Sequence, residues 1–285
     1  MSTLSPVGSI LRQWRKHRRM SQLDLAETAE VSTRHLSCVE TGKSRASPEM
    51  LLVLASALEI PLASRNELLR VAGYAAAYSE SKLEEPDGHM DSAIQMVLDG
   101  VEPNPALAMD RAWNLVRLNR PAEFLFGAII ANHDGQEDPD RLRNAMLMLL
   151  HDAFRRVIVN WEDVAASAIE RLHREAASHP GPDGPEPTLR AALDHPWLPS
   201  RFHRPELEGS LKPFIEVVCR LDATQLRFFT TLQTLGSPID VTASSLLIET
   251  YFPSDATTRA WLQSLAASNT GASGADPVED APSTG

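Results

Sequence analysis

The sequence predicts a multidomain chain. An N-terminal all-α domain of five helices, built around a helix-turn-helix, precedes a C-terminal α+β domain with an antiparallel sheet. Three observations carry this reading. Residues 21–42, SQLDLAETAEVSTRHLSCVETG, have the cap, turn and stop pattern of two short helices. Apolar residues recur at helical spacing through the first seventy positions. Between 214 and 252 the pattern changes to short runs rich in Phe, Thr, Val and Ile, which read as strands.

The first helix is expected from Pro6 to Arg18. Val7, Ile10, Leu11 and Trp14 form its apolar stripe, and Arg12, Arg15, Lys16, Arg18 and Arg19 make its other face and end basic. The second helix runs from Gln22 to Ala29, with Ser21 as cap and Asp24 in the first turn, where a negative charge suits the helix dipole. Glu30-Val31 is the turn. The third helix runs from Thr33 to Thr41, capped by Ser32, with Val31 and Leu36 placed as a hydrophobic staple and Gly42 as the stop. At about 100° per residue, Leu36 and Val39 point inward and Thr33, Arg34, Ser37 and Thr41 point outward. Short hydrogen-bonding side chains plus one guanidinium can read base edges in a major groove. Lys43 and Arg45 follow and can take phosphates. A fourth helix opens with Ser47 as cap and Pro48 in its first turn, and Pro61 stops it. A fifth runs from Arg65 to Ala72 and ends at Gly73.

Residues 74–90 are polar and acidic, broken by Pro86 and Gly88, and read as a linker between a domain at 1–73 and one at 91–267. In the second domain, Ser92 to Leu98 reads as a helix. Residues 106–110 and 115–119 read as strands joined by Arg111-Ala112-Trp113-Asn114. Helices are expected over Pro121–Phe126, ended by Gly127, over Leu142–His151, Trp161–Ala177 and Glu186–Asp194. Three strands follow, over 214–221, 225–235 and 246–252, then a helix at 257–265. Two strands, helices, then three strands suggest an antiparallel sheet with helices on one side. The Ser, Gly, Ala, Pro and Asp run over 268–285 reads as a disordered tail.

The 285 residues suit two domains, and 43% hydrophobic content supports packed cores. The net charge of −11 is uneven. Residues 1–45 hold eight Lys or Arg against four Asp or Glu, a net of +4, which leaves 19 basic and 34 acidic groups, a net of −15, for the rest. A positive end on an acidic chain is the asymmetry of a nucleic-acid binder with one binding end. Two cysteines, Cys38 and Cys219, cannot build a disulfide framework or a Cys-based zinc site. There is no signal-peptide pattern and no apolar run of about 18 residues, so the expected location is the cytoplasm. No GxGxxG, Walker loop, HExxH or GxSxG is present, and the reading is not an enzyme, with no cofactor and no metal.

The segment LRQWRKHRRMSQLDLAETAEVSTRHLSCVETGKSRASPEMLLVLASALEI resembles the helix-turn-helix domain of XRE (Cro/repressor-like) transcription regulators, a lambda repressor-like fold. Arg15, Ser21-Gln22, Leu25-Ala26, Val31-Ser32, Glu40-x-Gly42 and Ser47-Pro48 carry the likeness. It implies that Gln22 contacts a phosphate and that Arg15 and Glu40 form a structural ion pair. The candidate DNA-binding set is then Gln22, Ser32, Thr33, Arg34, Ser37, Thr41, Lys43 and Arg45.

MDRAWNLVRLNRPAEFLFG, Trp161 with Ile169-Glu170-Arg171, and Ser200-x-Phe202 resemble the ligand-binding domain of MmyB-like regulators, a PAS-like fold. The likeness implies a cavity kept among Met and aromatic side chains. The candidate ligand set is Trp113, Phe124, Met146, Trp161, Arg171, Phe202 and Phe228, with Arg171 as the cation for an anionic head group and Arg155 or Arg156 as substitutes. The expected partners are a double-stranded DNA operator, a small apolar or acyl (fatty-acid-like) ligand, and a second copy of the chain, without a membrane. Two other readings of the second domain stand beside this one: a protein-interaction or dimerisation module without ligand, and a DNA-tethered enzyme.

Overall fold

The computed structural model describes residues 5–80, 89–131, 141–179, 184–199, 202, 215–236 and 240–270, the side chains of 268–270 excepted. Most of the tail at 268–285, residues 81–88 of the expected linker, and Ser200 lie outside the described residues. Two units are present. One comprises residues 1–82 and 235–245; the other comprises 83–234 and 246–285.

In the first unit, α1 (Pro6–His17), α2 (Gln22–Thr28), α3 (Thr33–Glu40), α4 (Pro48–Ala57) and α5 (Leu62–Val71) enclose a core of Leu11, Leu25, Leu36, Leu51, Leu54, Leu58, Leu68 and Leu69. Each of the first four helices starts on a serine whose hydroxyl accepts a backbone N–H: Ser5, Ser21, Ser32 and Ser47. At Ser21 the box is closed, because the Asp24 carboxylate accepts the Ser21 N–H at 2.8 Å. Gly42 follows α3 with φ +73°, the left-handed conformation that glycine adopts without a Cβ penalty. Helix α5 starts at Leu62, three residues before the expected Arg65, because Pro61 serves as its N-cap as well as following α4. Helix α4 itself ends at the cap Leu58, with Glu59 at φ 50°.

Residues 74–80 fold onto this unit. The Asn66 side chain, 1% exposed, accepts the N–H groups of Ala77 and Tyr78 and donates to the Tyr78 carbonyl. The unit is completed by a segment from late in the chain. Ser79 forms a parallel bridge with Asp240, and α12 (Val241–Ser245) follows, its first N–H groups accepted by the Asp240 carboxylate.

The second unit holds a five-stranded antiparallel sheet in the order β2-β1-β5-β4-β3. The strands are β1 (Ala106–Met109), β2 (Leu115–Leu118), β3 (Glu216–Leu221), β4 (Thr224–Gln233) and β5 (Leu247–Pro253). Helices cover both faces, which corrects the expectation of one side. Ala106, Ala108 and Ile248 point to α6 (His89–Gly100), where they pack with Ile94, Leu98 and Leu246. The strand period of two sends Leu107, Met109 and Leu247 to the opposite face. There they meet a larger core supplied by α7 (Arg120–Ala131), α8 (Ala145–Leu150), α9 (Asp152–Val157), α10 (Trp161–Ser178), α11 (Glu186–Leu193) and α13 (Ala256–Thr270).

Helix α6 extends beyond the expected 92–98 at both ends, and two later helices also depart from the sequence reading. Helix α7 passes through Gly127 to Ala131, since burying Ile129 outweighs the roughly 1 kcal/mol helix penalty of one glycine. The helix expected over 142–151 is shortened to α8, and α9, which the sequence reading did not include, follows it. Asn144 caps α8, and His151, extended at φ −66° and ψ 143°, ends α8 and caps α9 through Nδ1. Buried Asn119 ties the first layer together: its carbonyl accepts from Ala106 and Ala122, and its amide donates to the Leu98 and Asn104 carbonyls.

Candidate functional sites: a DNA-reading helix and an apolar cavity

The outward face of α3 is set by its core face. Leu36 and Val39 are buried, so Thr33 and Arg34 are exposed and Ser37 lies at the margin. Below them sits a buried polar cluster. The Arg15 guanidinium donates to Glu40 through Nε at 2.8 Å and Nη2 at 3.0 Å, and through Nη1 to the Met20 carbonyl at 3.0 Å. The Gln22 amide donates to the same carboxylate at 2.8 Å. Burial pushes the Glu40 carboxyl up. The bonds from Arg15 and Gln22 and the charges of Arg15 and Arg12 overcome that and hold it below the ordinary glutamate range. One Gln22 N–H is thereby fixed on Glu40, which sets the orientation of the amide.

The other expected DNA contacts divide by geometry. Ser32 uses its hydroxyl oxygen on the His35 N–H, as a cap. Thr41 donates to the Ser37 carbonyl at 2.7 Å, so its proton is held within the helix. Lys43 is exposed. Arg45 reaches the far end of α5, donating to the Ala72 carbonyl at 3.2 Å and lying 5.0 Å from the Tyr74 ring centroid. That geometry makes it a brace in this unit. Arg18, counted in the basic face of α1, also works inside the unit by bonding the Leu58 and Glu59 carbonyls.

In the second unit a cavity of about 140 Å³ lies between the sheet and α7–α10. Of the expected ligand set, Trp113, Arg171 and Phe228 line it. Met146, Trp161 and Phe202 do not. They are buried elsewhere in the same core, where Trp161 donates to the Leu149 carbonyl at 2.8 Å. Phe124 is 47% exposed on the outer side of α7 and packs against Trp261, 6.2 Å between ring centroids. Of the substitute cations, Arg155 lies over the Trp197 ring and Arg156 pairs with Asp152. Lining residues missing from that expected set include Phe154, Cys219, Thr230, Glu249 and Tyr251. The alternation on β5 held part of the signal, because Leu247, Glu249 and Tyr251 share one face.

The wall is largely apolar, with the Ser167 and Thr230 hydroxyls and one charged corner. Arg171 Nε lies 3.5 Å from Glu175 and Nη2 lies 3.6 Å from Glu249, both beyond good hydrogen-bond geometry, and neither nitrogen has a hydrogen-bond partner among the described residues. The guanidinium carbon lies 4.0 Å from the Trp113 ring centroid, a cation–π contact. Trp113 Nε1 donates to Glu175 at 2.7 Å. Trp113 itself has φ 65°, a left-handed conformation unusual for a bulky residue. Its turn is clamped: the Trp113 carbonyl accepts from Ala145, and Asn144 and Thr188 both donate to the Ala112 carbonyl. Burial, and then the Glu249 charge, push the Tyr251 phenol well above its ordinary value, so it stays neutral. Burial raises the Cys219 thiol to about 12. Among the described residues, no group of three or more His, Cys, Asp or Glu is placed to hold a metal. Nor is any helix among the described residues long and apolar enough to cross a membrane.

The family described as helix-turn-helix matches residues 11–64, which contain α2, α3 and the Arg15–Glu40–Gln22 cluster. The family described as the MmyB-like transcription regulator ligand binding domain matches residues 90–265, which contain the whole sheet and cavity. No curated protein matches the chain. A helix-turn-helix unit joined to that sensor domain is the composition of a DNA-binding transcription regulator, and the chain belongs to the MmyB-like transcription regulator family.

Proposed function

We propose that this regulator binds a double-stranded DNA operator as a homodimer and changes its operator affinity when a small, largely apolar, acyl-like ligand occupies the cavity. The cavity carries this reading. A packed domain closes voids, because each one forfeits dispersion contacts and costs stability. A retained, largely apolar cavity with one charged corner is the usual form of a small-molecule site. Its size is close to that of apolar cavities known to take a benzene-sized guest, on the order of 150 Å³. A short chain or compact ring fits that volume better than a long fatty acid.

Two recognition helices spaced about 34 Å apart would double the few base contacts that one α3 can make. A ligand shifts DNA binding only if it prefers one of two protein states. The chain path offers a route for that preference. Strands β4 and β5 both wall the cavity, and the segment joining them, 235–245, belongs to the DNA-binding unit. Native mass spectrometry of the purified protein, before and after extraction with organic solvent, tests the ligand. Operator titration of both samples tests the coupling. If no apolar compound co-purifies and none added alters operator affinity, the second unit is an interaction module instead.

A further inference from the structure

We infer that the cavity selects a neutral ligand whose polar group both accepts and donates a hydrogen bond, such as an amide or alcohol, over a free carboxylate. This rests on the ligand reading above and narrows its head group. Arg171 alone would suggest an acid, but its guanidinium is not a lone cation. Glu249, which also lines the cavity, lies 3.6 Å from its Nη2 with a side chain 13% exposed, and Glu175 lies 3.5 Å from its Nε. An incoming carboxylate has two options at this corner. It can sit beside Glu249 as a second like charge in a desolvated site, which raises the cost of ionising both. It can take Arg171 for itself, which leaves Glu249 buried without its partner.

A neutral group meets neither penalty. Arg171 offers buried N–H groups at Nε and Nη2 that have no hydrogen-bond partner among the described residues, so an acceptor on the ligand finds a donor ready. The Glu249 carboxylate can only accept, so a donor on the same ligand finds its complement. The neutral Tyr251 phenol and the Thr230 hydroxyl, which also line the cavity, can serve either way. Apart from the Ser167 hydroxyl and the Cys219 thiol, the rest of the lining is hydrocarbon and aromatic, matched to the ligand's tail.

Hexanamide, hexan-1-ol and hexanoate share one tail and differ in head group. Their affinities for the full-length protein at pH 7.5, read by saturation-transfer NMR titration, test the inference. The expected result is that hexanamide and hexanol bind at least about tenfold more tightly than hexanoate. In Glu249→Gln the carboxylate penalty is gone, and hexanoate should gain on hexanamide by a similar factor. A wild-type preference for hexanoate overturns the head-group inference and leaves the ligand reading standing. A wild-type preference for the neutral compounds that Glu249→Gln does not alter removes Glu249 as its cause. Absence of binding by all three at millimolar concentration sinks the ligand reading and this inference with it. Circular dichroism melts of wild type and variant show whether a lost signal is lost folding.

Discussion

Arg15 holds Glu40 in a two-pronged ion pair, 2.8 and 3.0 Å, that joins the first helix to the last turn of the recognition helix. Both side chains are largely out of water, at 11% and 2% exposure. The Gly8 backbone packs directly on the same turn, where a Cβ would fall 1.9 Å from the Glu40 carbonyl oxygen. The angle of α3 is therefore set from underneath, by groups that never need to touch DNA.

Glu40→Gln should lower the stability of the first unit by about 3 kcal/mol, because a buried guanidinium loses its charged partner. Urea unfolding followed by circular dichroism measures it. The pH dependence has a definite sign. The folded Glu40 carboxyl lies below its unfolded value, so its stabilisation is complete above the ordinary glutamate range and is lost as pH falls through the folded value. The wild type should lose more stability on acidification than Glu40→Gln does.

Arg34, Lys43 and Arg45 should give three different phenotypes. Arg34→Ala should cost about 1–3 kcal/mol of operator binding and relax base preference, as a direct reader does. Lys43→Ala should weaken specific and nonspecific DNA alike and lower the salt slope by about 0.9. Arg45→Ala should chiefly lower the melting temperature, since its guanidinium braces Ala72 and Tyr74. Fluorescence anisotropy across a salt series, with a melt of each variant, separates the three. Unchanged site preference in Arg34→Ala would sink the assignment of base reading to that residue.

Cys38 and Cys219 should differ sharply toward iodoacetamide at pH 8. Cys219 is deeply buried in β3 with its thiol raised to about 12, so almost none of it is thiolate. Peptide mapping should find Cys38 labelled in the native protein and Cys219 labelled only after denaturation. Because Cys219 lines the cavity, any slow native labelling of it should fall when hexanamide is present.

Asp240→Ala should leave ligand affinity near the wild-type value and weaken the ligand's effect on operator binding. The Asp240 carboxylate starts α12 by accepting the N–H groups of Thr242 and Ala243, and its backbone bridges Ser79. Loosening that segment frees the β4–β5 connection from the DNA-binding unit. Operator titration with and without hexanamide measures the coupling. Full coupling in the variant would mean that the effect travels by another route.

The sequence by itself determined the helix-turn-helix almost to the residue. Caps, staples and stops are local chemistry: Ser21, Ser32 and Ser47 each bond an N–H three positions on, and Gly42 needs only its own φ. The strands were legible for a similar reason, since a run of β-branched, aromatic and other apolar residues shows in a short window. What only the tertiary structure decided was which side chains meet. Phe124 and Phe126 are two residues apart on α7, yet one packs on Trp261 at the surface and the other lines the cavity. Nothing in the sequence placed Glu249 beside Arg171, 78 positions apart. That encounter depends on the sheet order that sets β5 between β1 and β4 with its odd-numbered side chains inward, facing α10. A site assembled from four helices and three strands is a property of long-range packing, where burial and strand register override local preference. The charge balance at its polar corner is decided there.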